Sequence, residues 1–576
     1  MVLTARQKFF IERLSELLHV GTLDSYRVRT HNVHTLILEL HTLIEQWRKG
    51  NIKQFETIQL SARETKDKIE NDKIYLSNFP FRHLLPNYLE NFAKDDKGKN
   101  IECLRIQQLL EKVLYSTDSG TYIKALFEEL TRLTSIEDNS DETDEVLEKD
   151  LTEIDIHLSS LCTELIFVGF SKTHLYHSAS IFSNSSGEAF NEMLNKFIKA
   201  TNPTNLRKYI IIFRLNLSKM IKDLDLPELL KTFPDKYRNE WLERKRAKFI
   251  KCQNNQRYFV SEVDALDEMA ALKLGKEVLS KYLDKIHFSL NHSKIIPDNT
   301  GIIFENKGSD YIAINRPFLP ILDGVQPSED TMVSSKELDL NIIADAKNLS
   351  PEVLNRLTSA LRHLRIGDND TEIEQRFINY WIALEFIFST PAASDSTYRR
   401  IKENIISILI SCYGKRNLSV LNQQIKLFAD TTSIPDIWEI DAVEKIPQTI
   451  ELPILLKYRL HRYKNHLLSG DKKKIASYLE IHKRNITWQI ARIYRLRNEL
   501  IHEAAIKQDI ESLTSNLRYY LIFVLNRAVF FFKEGAIKYS TTNFNMESFF
   551  MHYELIRLAI EKNHCLMDIL KYGDVD

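Results

Sequence analysis

RFINYWIALEFIFST, residues 376–390, is apolar almost throughout yet carries one carboxylate, Glu385. At helical spacing Glu385 lies one turn from both Trp381 and Phe388. An acid in such surroundings needs a partner. The stretch ARIYRLRNELIHEA, residues 491–504, offers one. Ile486, Ile490, Ile493 and Leu500 recur at the spacing of one helical face, and Arg497 falls on the same stripe. A long cation there is costly unless it is paired or faces a cleft, and Glu385 is its natural partner. Asn498 and His502 are four residues apart and share a face. On an ideal helix Arg497 stands about 100° from Asn498 and about 140° from His502. The Arg497 side chain, or a distorted helix end, has to close that gap.

Arg-x4-His is a common spacing. Arg29 with His34, Arg459 with His466, and Arg557 with His564 fit similar patterns in this chain. The amphipathic context and Glu385 single out Arg497. Two plainer readings stand beside the catalytic one. Arg497 fits a structural salt bridge to Glu385, and His502 fits a capping or surface histidine.

Outward from these two stretches, the pattern is helical from about residue 346 to the end. Ser350-Pro351 starts it, a Ser cap followed by Pro at the first helical position. Residues 346–576 are expected to form an up-and-down helical bundle. Its core should include Trp381, Leu384, Phe388, Ile490, Ile493 and Phe530. The run YYLIFVLNRAVFFF, residues 519–532, is broken by Asn526 and Arg527 and is too short to span a bilayer comfortably, so it reads as a buried helix.

Residues 1–134 are also helix-like, with Phe9, Ile11, Leu14, Leu17 and Leu18 returning every three or four positions. SIEDNSDETDEVLEKD, residues 135–150, reads as an acidic linker and places a boundary. Residues 151–345 are mixed α+β and a candidate sensor region. Helical patterns run from Leu158 to Phe170 and from Glu188 to Ile198. YIIIFRL, from Tyr209, fits a buried strand or a helix segment. GIIFE (301–305) and YIAIN (311–315) flank NKGSD and predict a β-hairpin; Pro317, Pro320 and Pro327 then mark a loop. The basic stretch 231–251 interleaves Tyr237 and Trp241 with Arg238, Arg244 and Arg246. That mixture suits single-stranded RNA, through phosphate contacts and stacking. It equally suits a solvated helix face with its aromatics turned inward.

Composition agrees with a mainly α, multidomain protein. Only 15 of 576 residues are glycine, which disfavours tight hairpins and favours helices. The net charge of -1 gives no general attraction to nucleic acid, so any RNA contact has to be local. The five cysteines, Cys103, Cys162, Cys252, Cys412 and Cys565, form no CxxC pair and suggest no zinc site. Scattered thiols and the lack of a signal-peptide pattern point to a reducing cytoplasm and no membrane anchor.

Two of the stretches resemble a known family. RNELIH, residues 497–502, matches the Arg-Asn-x3-His form of the HEPN ribonuclease motif. FINYWIALEFIF, residues 377–388, is similar to the signature helix of Apea-like HEPN domains in bacterial defence proteins, and LTSALRHLRIGDNDTEIEQRF (357–377) to the lead-in they carry. The resemblance covers about 346–576 and none of the remainder. It implies a metal-independent endoribonuclease of antiviral defence or abortive infection. RNA is cut there by its own 2′-OH, leaving a 2′,3′-cyclic phosphate and a 5′-OH. His502 would act as general base or acid, Arg497 would stabilise charge on the phosphate, Asn498 would orient, and Glu385 would fix Arg497. One motif per chain implies a homodimer or higher oligomer. An unidentified phage-derived or cellular trigger is implied as well. The alternative is a non-catalytic HEPN interaction or RNA-binding module. A toxin-like nucleotide-binding protein is a third option, disfavoured by the lack of a glycine-rich phosphate loop. No cofactor or metal is expected.

Overall fold

The computed structural model describes residues 3–563 apart from 20–30, 53–54, 78, 95–99, 139–142, 185–186, 219–225, 227, 291–293, 308–309, 318–331, 371, 389–396, 429–450, 503–509 and 539–543. It is mainly helical with one small sheet. Ten helices form the N-terminal body among the described residues: α1 (Ala5–Leu18), α2 (Val33–Arg48), α3 (Glu56–Asn71), α4 (Leu85–Lys94), α5 (Asn100–Ser116), α6 (Ser119–Thr134), α7 (Asp144–Phe167), α8 (Lys172–Ala179), α9 (Ile181–Asn184) and α10 (Phe190–Ala200). Their capping is local and chemical. Thr4 and Asn32 each accept from the third helical N–H in reciprocal capping boxes, starting α1 and α2.

The acidic stretch 135–150 does not behave as a linker. Its last residues are the first turns of α7, where acids suit the helix dipole. Asp150 and Asp138 hold the fully buried Arg6 of α1, at 2.7 Å and 3.5 Å. A single apolar core runs on both sides of it, from Phe9 through Leu151, Leu158 and Leu165 to Phe197. The boundary expected near residue 150 therefore falls near Ala200, where the sheet begins.

The sheet module comprises β1 (Arg207–Leu217), β2 (Leu229–Leu230), α11 (Glu240–Ile250), β3 (Gln256–Ala265), α12 (Glu268–Leu290), β4 (Ile295–Lys307) and β5 (Asp310–Pro317). Its strand order is β2-β3-β1-β4-β5, with every pairing antiparallel. The YIIIFRL run is the central strand β1. Tyr209, Ile211, Phe213 and Leu215 pack in one apolar cluster with α12 residues, while Ile210 and Ile212 pack in another with Phe233, Leu242 and Phe249. Both faces are covered, so the strand reads as one apolar run rather than an alternation. The expected hairpin is β4–β5, with Glu305 opposite Ile312. Pro320 and Pro327 lie outside the described residues.

The C-terminal bundle contains α13 (Met332–Asp345), α14 (Pro351–Asn369), α15 (Ile373–Phe388), α16 (Thr397–Lys426), α17 (Ile454–His466), α18 (Lys472–His502), α19 (Ile510–Lys538) and α20 (Met546–Asn563). Its helices start before the expected boundary at 346. Ile343 of α13 is in the bundle core, and Asp339 pairs with Lys533 of α19 at 2.7 Å. Ser350 caps α14 by accepting from Glu352 N, with Pro351 in the first turn. Trp381, Leu384, Phe388, Ile490 and Ile493 are all buried in one core. Phe530 is not: it is half-buried, and Phe532 takes the core position. In the run VFFF a helix turns 100° per residue, so only part of it can face inward. Among the described residues of 346–563 there is no strand, only a bridge between Leu349 and Phe544.

The α14–α15 contact is close. A Cβ on Gly367 would stand 2.6 Å from Tyr380 Cε1 and 3.3 Å from the Arg376 carbonyl oxygen. Tyr380 cannot swing aside, since it is buried and donates to Asp368 Oδ1 at 2.6 Å. Gly367→Ala should therefore destabilise the bundle. Overpacking costs about 1–3 kcal/mol, more than the gain of about 1 kcal/mol from helix propensity. Urea denaturation measures it, and a stabilised variant would contradict this packing.

Candidate functional site

Arg497 and Asn498 lie in the last turns of α18, which extends to His502. Asn498 and His502 are thus four apart on one continuous helix. The His502 side chain itself lies outside the described residues. Arg497 closes the gap to its neighbour with its own length: Nη1 donates to Asn498 Oδ1 at 3.2 Å. Its Nη2 is 3.5 Å from Glu385 Oε1. The sequence pairing of Arg497 with Glu385 is present in the structure. It is looser than the sequence implies, because a charge-assisted hydrogen bond runs at about 2.7–2.9 Å. Glu385 Oε1 is drawn instead to Trp381 Nε1, which donates to it at 2.6 Å. Arg497 Nε is buried and has no hydrogen-bond partner among the described residues. The guanidinium is thus held on two sides with one donor unspent.

The pair is less buried than an acid on an apolar helix suggests. The side chains of Arg497 and Glu385 are 27% and 31% exposed. The carboxylate sits at the edge of the bundle, where water compensates both charges. Glu385→Gln should consequently cost at most about 1 kcal/mol of stability, as half-exposed ion pairs do, since Gln keeps an acceptor for Trp381. Thermal denaturation measures it. A large stability loss would show a structural pair instead.

The competing Arg/His pairs have other duties. Arg459 binds Glu16 of α1, and His466 stacks on Tyr478 with ring centroids 5.5 Å apart. Arg557 binds Glu561 at 2.9 Å, and His564 lies outside the described residues. Arg29 also lies outside them, while His34 is buried against Glu164 at 2.8 Å. The basic stretch is in the sheet module. Arg238 pairs with Asp235 at 3.4 Å and Arg244 with Glu240 at 2.9 Å, both in their own short segment. Arg246 adopts a non-helical backbone inside α11, and its Nε is buried without a partner among the described residues. Tyr237 is turned inward and stacks on Phe304 at 5.2 Å. The Trp241 side chain lies outside the described residues. Of the four aromatics in residues 231–251, Phe233, Tyr237 and Phe249 are buried in one core cluster, as on a solvated helix face with its aromatics turned inward.

Sequence reading missed the largest buried charge cluster on α18. Arg492 Nη2 meets Glu39 of α2 at 2.8 Å and Glu64 of α3 at 2.5 Å. Arg495 binds Glu39 as well. Burial would raise the Glu39 carboxyl, but Arg492 and Arg495 hold it well below the usual carboxylate range. The cluster ties the N-terminal body to the helix that carries Arg497. Its only sequence signal is Glu39 inside the apolar run LILEL, at residues 36–40.

One group of potential metal ligands occurs among the described residues: His174, Asp267 and Glu268, with ligand atoms within 4.8 Å of one another. Asp267 already accepts from Ser171 N and Oγ, Met269 N and Ala270 N, so its oxygens serve to join α8 to α12. No helix among the described residues is long and apolar enough to cross a membrane. In comparisons with known proteins, no family model, curated sequence or solved structure matches the chain.

Proposed function

We propose that the C-terminal bundle is a metal-independent endoribonuclease with Arg497, Asn498 and His502 at its centre. The observation that carries this reading is the Arg497 guanidinium. It is held between Glu385 and Asn498 with Nε unpartnered among the described residues, five residues before His502. A half-buried cation with a spare donor suits a phosphodiester whose charge grows in the transition state. The 2′-oxygen attacks phosphorus, the bond to the 5′-oxygen breaks, and the products are a 2′,3′-cyclic phosphate and a 5′-OH. One group removes the 2′-OH proton and another delivers a proton to the leaving oxygen. His502 fills one of these roles, since imidazole titrates near neutrality. A second copy of the chain supplies the other motif, so the active form is a dimer or higher oligomer. By resemblance the setting is antiviral defence in the cytoplasm, with a trigger sensed by the N-terminal regions.

The non-catalytic reading draws on a different observation. Arg492 and Arg495 show that this helix already spends cations on joining two bodies. A single assay separates the readings: cleavage of single-stranded RNA in EDTA with end-group analysis. Cyclic phosphate and 5′-OH ends support the ribonuclease. Metal-dependent cutting or 3′-OH ends would overturn its mechanism, and no cutting by an assembled oligomer would favour the interaction module.

A further inference from the structure

A cavity of about 280 Å³ lies between the N-terminal body and the C-terminal bundle. Helices α16, α17, α18 and α19 form one side, and α1, α3, α7 and His31 the other. We propose that this cavity binds a small anion carrying a planar ring, of the nucleoside monophosphate class.

Charge is the first argument. Six cationic side chains and two carboxylates line the cavity. Both carboxylates are engaged, Asp155 with Arg13 at 2.6 Å and Glu64 with Arg492 at 2.5 Å, and Glu16 and Glu39 behind the lining also pair with Arg13, Arg459 and Arg492. Arg462 donates to the Tyr458 hydroxyl at 3.2 Å rather than to a carboxylate. Arg416 lies over the rings of Tyr519 and Phe523, at 5.1 Å and 5.5 Å. Cations gathered in a desolvated space favour an anion, and guanidinium groups match phosphate oxygens in geometry.

Ring chemistry is the second. Tyr413 and His482 stack with centroids 3.5 Å apart, and Tyr478 lies 5.8 Å from Tyr413. Tyr413 and His482 cover each other's inner faces and His466 stacks on Tyr478, so what this aromatic cluster offers a base is its outer face and ring edges. Burial, followed by the field of Arg416, holds His482 neutral with its pKa lowered to about 3. His31 is lowered to about 3 as well, by burial and then Arg492. The His31 side chain is 9% exposed, and its Nδ1 is buried with no hydrogen-bond partner among the described residues. A neutral imidazole presents an acceptor to a base or ribose edge.

Size and placement are the third. Ligand clefts start at roughly 300 Å³, so this space suits one nucleotide and not a polymer. On α18 the cavity reaches Arg492, which lies about 140° around the helix from Arg497. The α18 residues that line the cavity end at Arg492, about 7.5 Å along the helix axis before Arg497, so the two sites are offset along α18. No glycine-rich loop is needed, because side chains rather than backbone amides meet the phosphate. The binding site is independent of the ribonuclease reading, although both rest on α18.

The test is calorimetric titration of the full chain with AMP, GMP, CMP and UMP, and with adenosine and inorganic phosphate as partial probes. One nucleotide should bind per chain, with phosphate and the nucleoside each at least about tenfold weaker. Arg462→Gln and Arg416→Gln should each weaken that nucleotide by about tenfold or more, while His502→Ala should leave binding unchanged whether or not the chain cuts RNA. Circular dichroism checks that the variants fold. If they do not, photolabelling of the unmodified chain with 8-azido-AMP decides, by labelling of the peptides that carry Tyr413, Tyr478 or His482. The proposal is overturned by the absence of saturable binding below about 1 mM for all four nucleotides. Unchanged affinity in both folded arginine variants, labelling elsewhere, or displacement of the nucleotide by a single-stranded RNA oligomer would overturn it too.

Discussion

His502→Ala and Arg497→Ala should each lower RNA cleavage by about 10²–10⁴-fold while leaving the chain folded. A positioned general acid or base contributes about that factor, and so does a charge-stabilising donor. Neither substitution should cost much stability. Arg497 is 27% exposed, and its contacts are a 3.5 Å approach to Glu385 and a 3.2 Å hydrogen bond to Asn498, within reach of water. Removing it frees Glu385, which keeps its bond from Trp381 Nε1. Groups that act as one unit are not additive, so Arg497→Ala combined with His502→Ala should fall little below either single variant. The measurement is single-turnover cleavage of a defined RNA by wild type and variants at matched protein concentration. Full activity in His502→Ala would remove this site from the chemistry. Losses that multiply in the double variant would mean that Arg497 and His502 act in separate steps.

The proximity of Arg497 to Glu385 was legible in the sequence because it is written in helical period. The Arg497–Glu385 pairing follows from two apolar stripes that each contain one wrong-looking charge, and the structure brings those charges to 3.5 Å. Depth was not readable. A stripe shows which way a residue faces, not how far it lies from the surface, so the pair was expected deeper than it is. The same limit misplaced Phe530, which shares its run with Phe532. Domain limits failed for a related reason. The run SIEDNSDETDEVLEKD, residues 135–150, reads as solvated by composition, but its Asp138 and Asp150 have a buried partner in Arg6 that only the tertiary fold supplies. The Arg492 cluster lies further out of reach. Its partners are 428 and 453 residues away, and no periodicity links them.

Arg492→Met should destabilise the chain by about 3–5 kcal/mol, because breaking a buried ion pair strands a charge. Arg492 is 7% exposed, and its two partners come from the N-terminal body. Glu39 retains Arg495 in that variant, whereas Glu64 loses the one salt bridge it makes among the described residues. The loss should therefore belong to Glu64. Arg492→Met with Glu64→Leu should recover most of it, as an apolar replacement of a whole buried pair is often neutral or stabilising. Acidity gives a second signature. Burial already pushes the Glu64 carboxyl up, with Arg492 opposing it. Without Arg492 its folded pKa rises further above the unfolded value. Stability from such a group is present at low pH and lost as pH rises through the folded pKa. Arg492→Met should thus be less destabilised at pH 5 than at pH 8, and the double variant should lose that dependence. Urea denaturation of the two variants and wild type at both pH values makes the comparison. A double variant as unstable as the single one would show that Arg492 packs rather than pairs. Recovery of stability without recovery of RNA cleavage would show that the N-terminal body acts on α18 through this charge, and not only through contact.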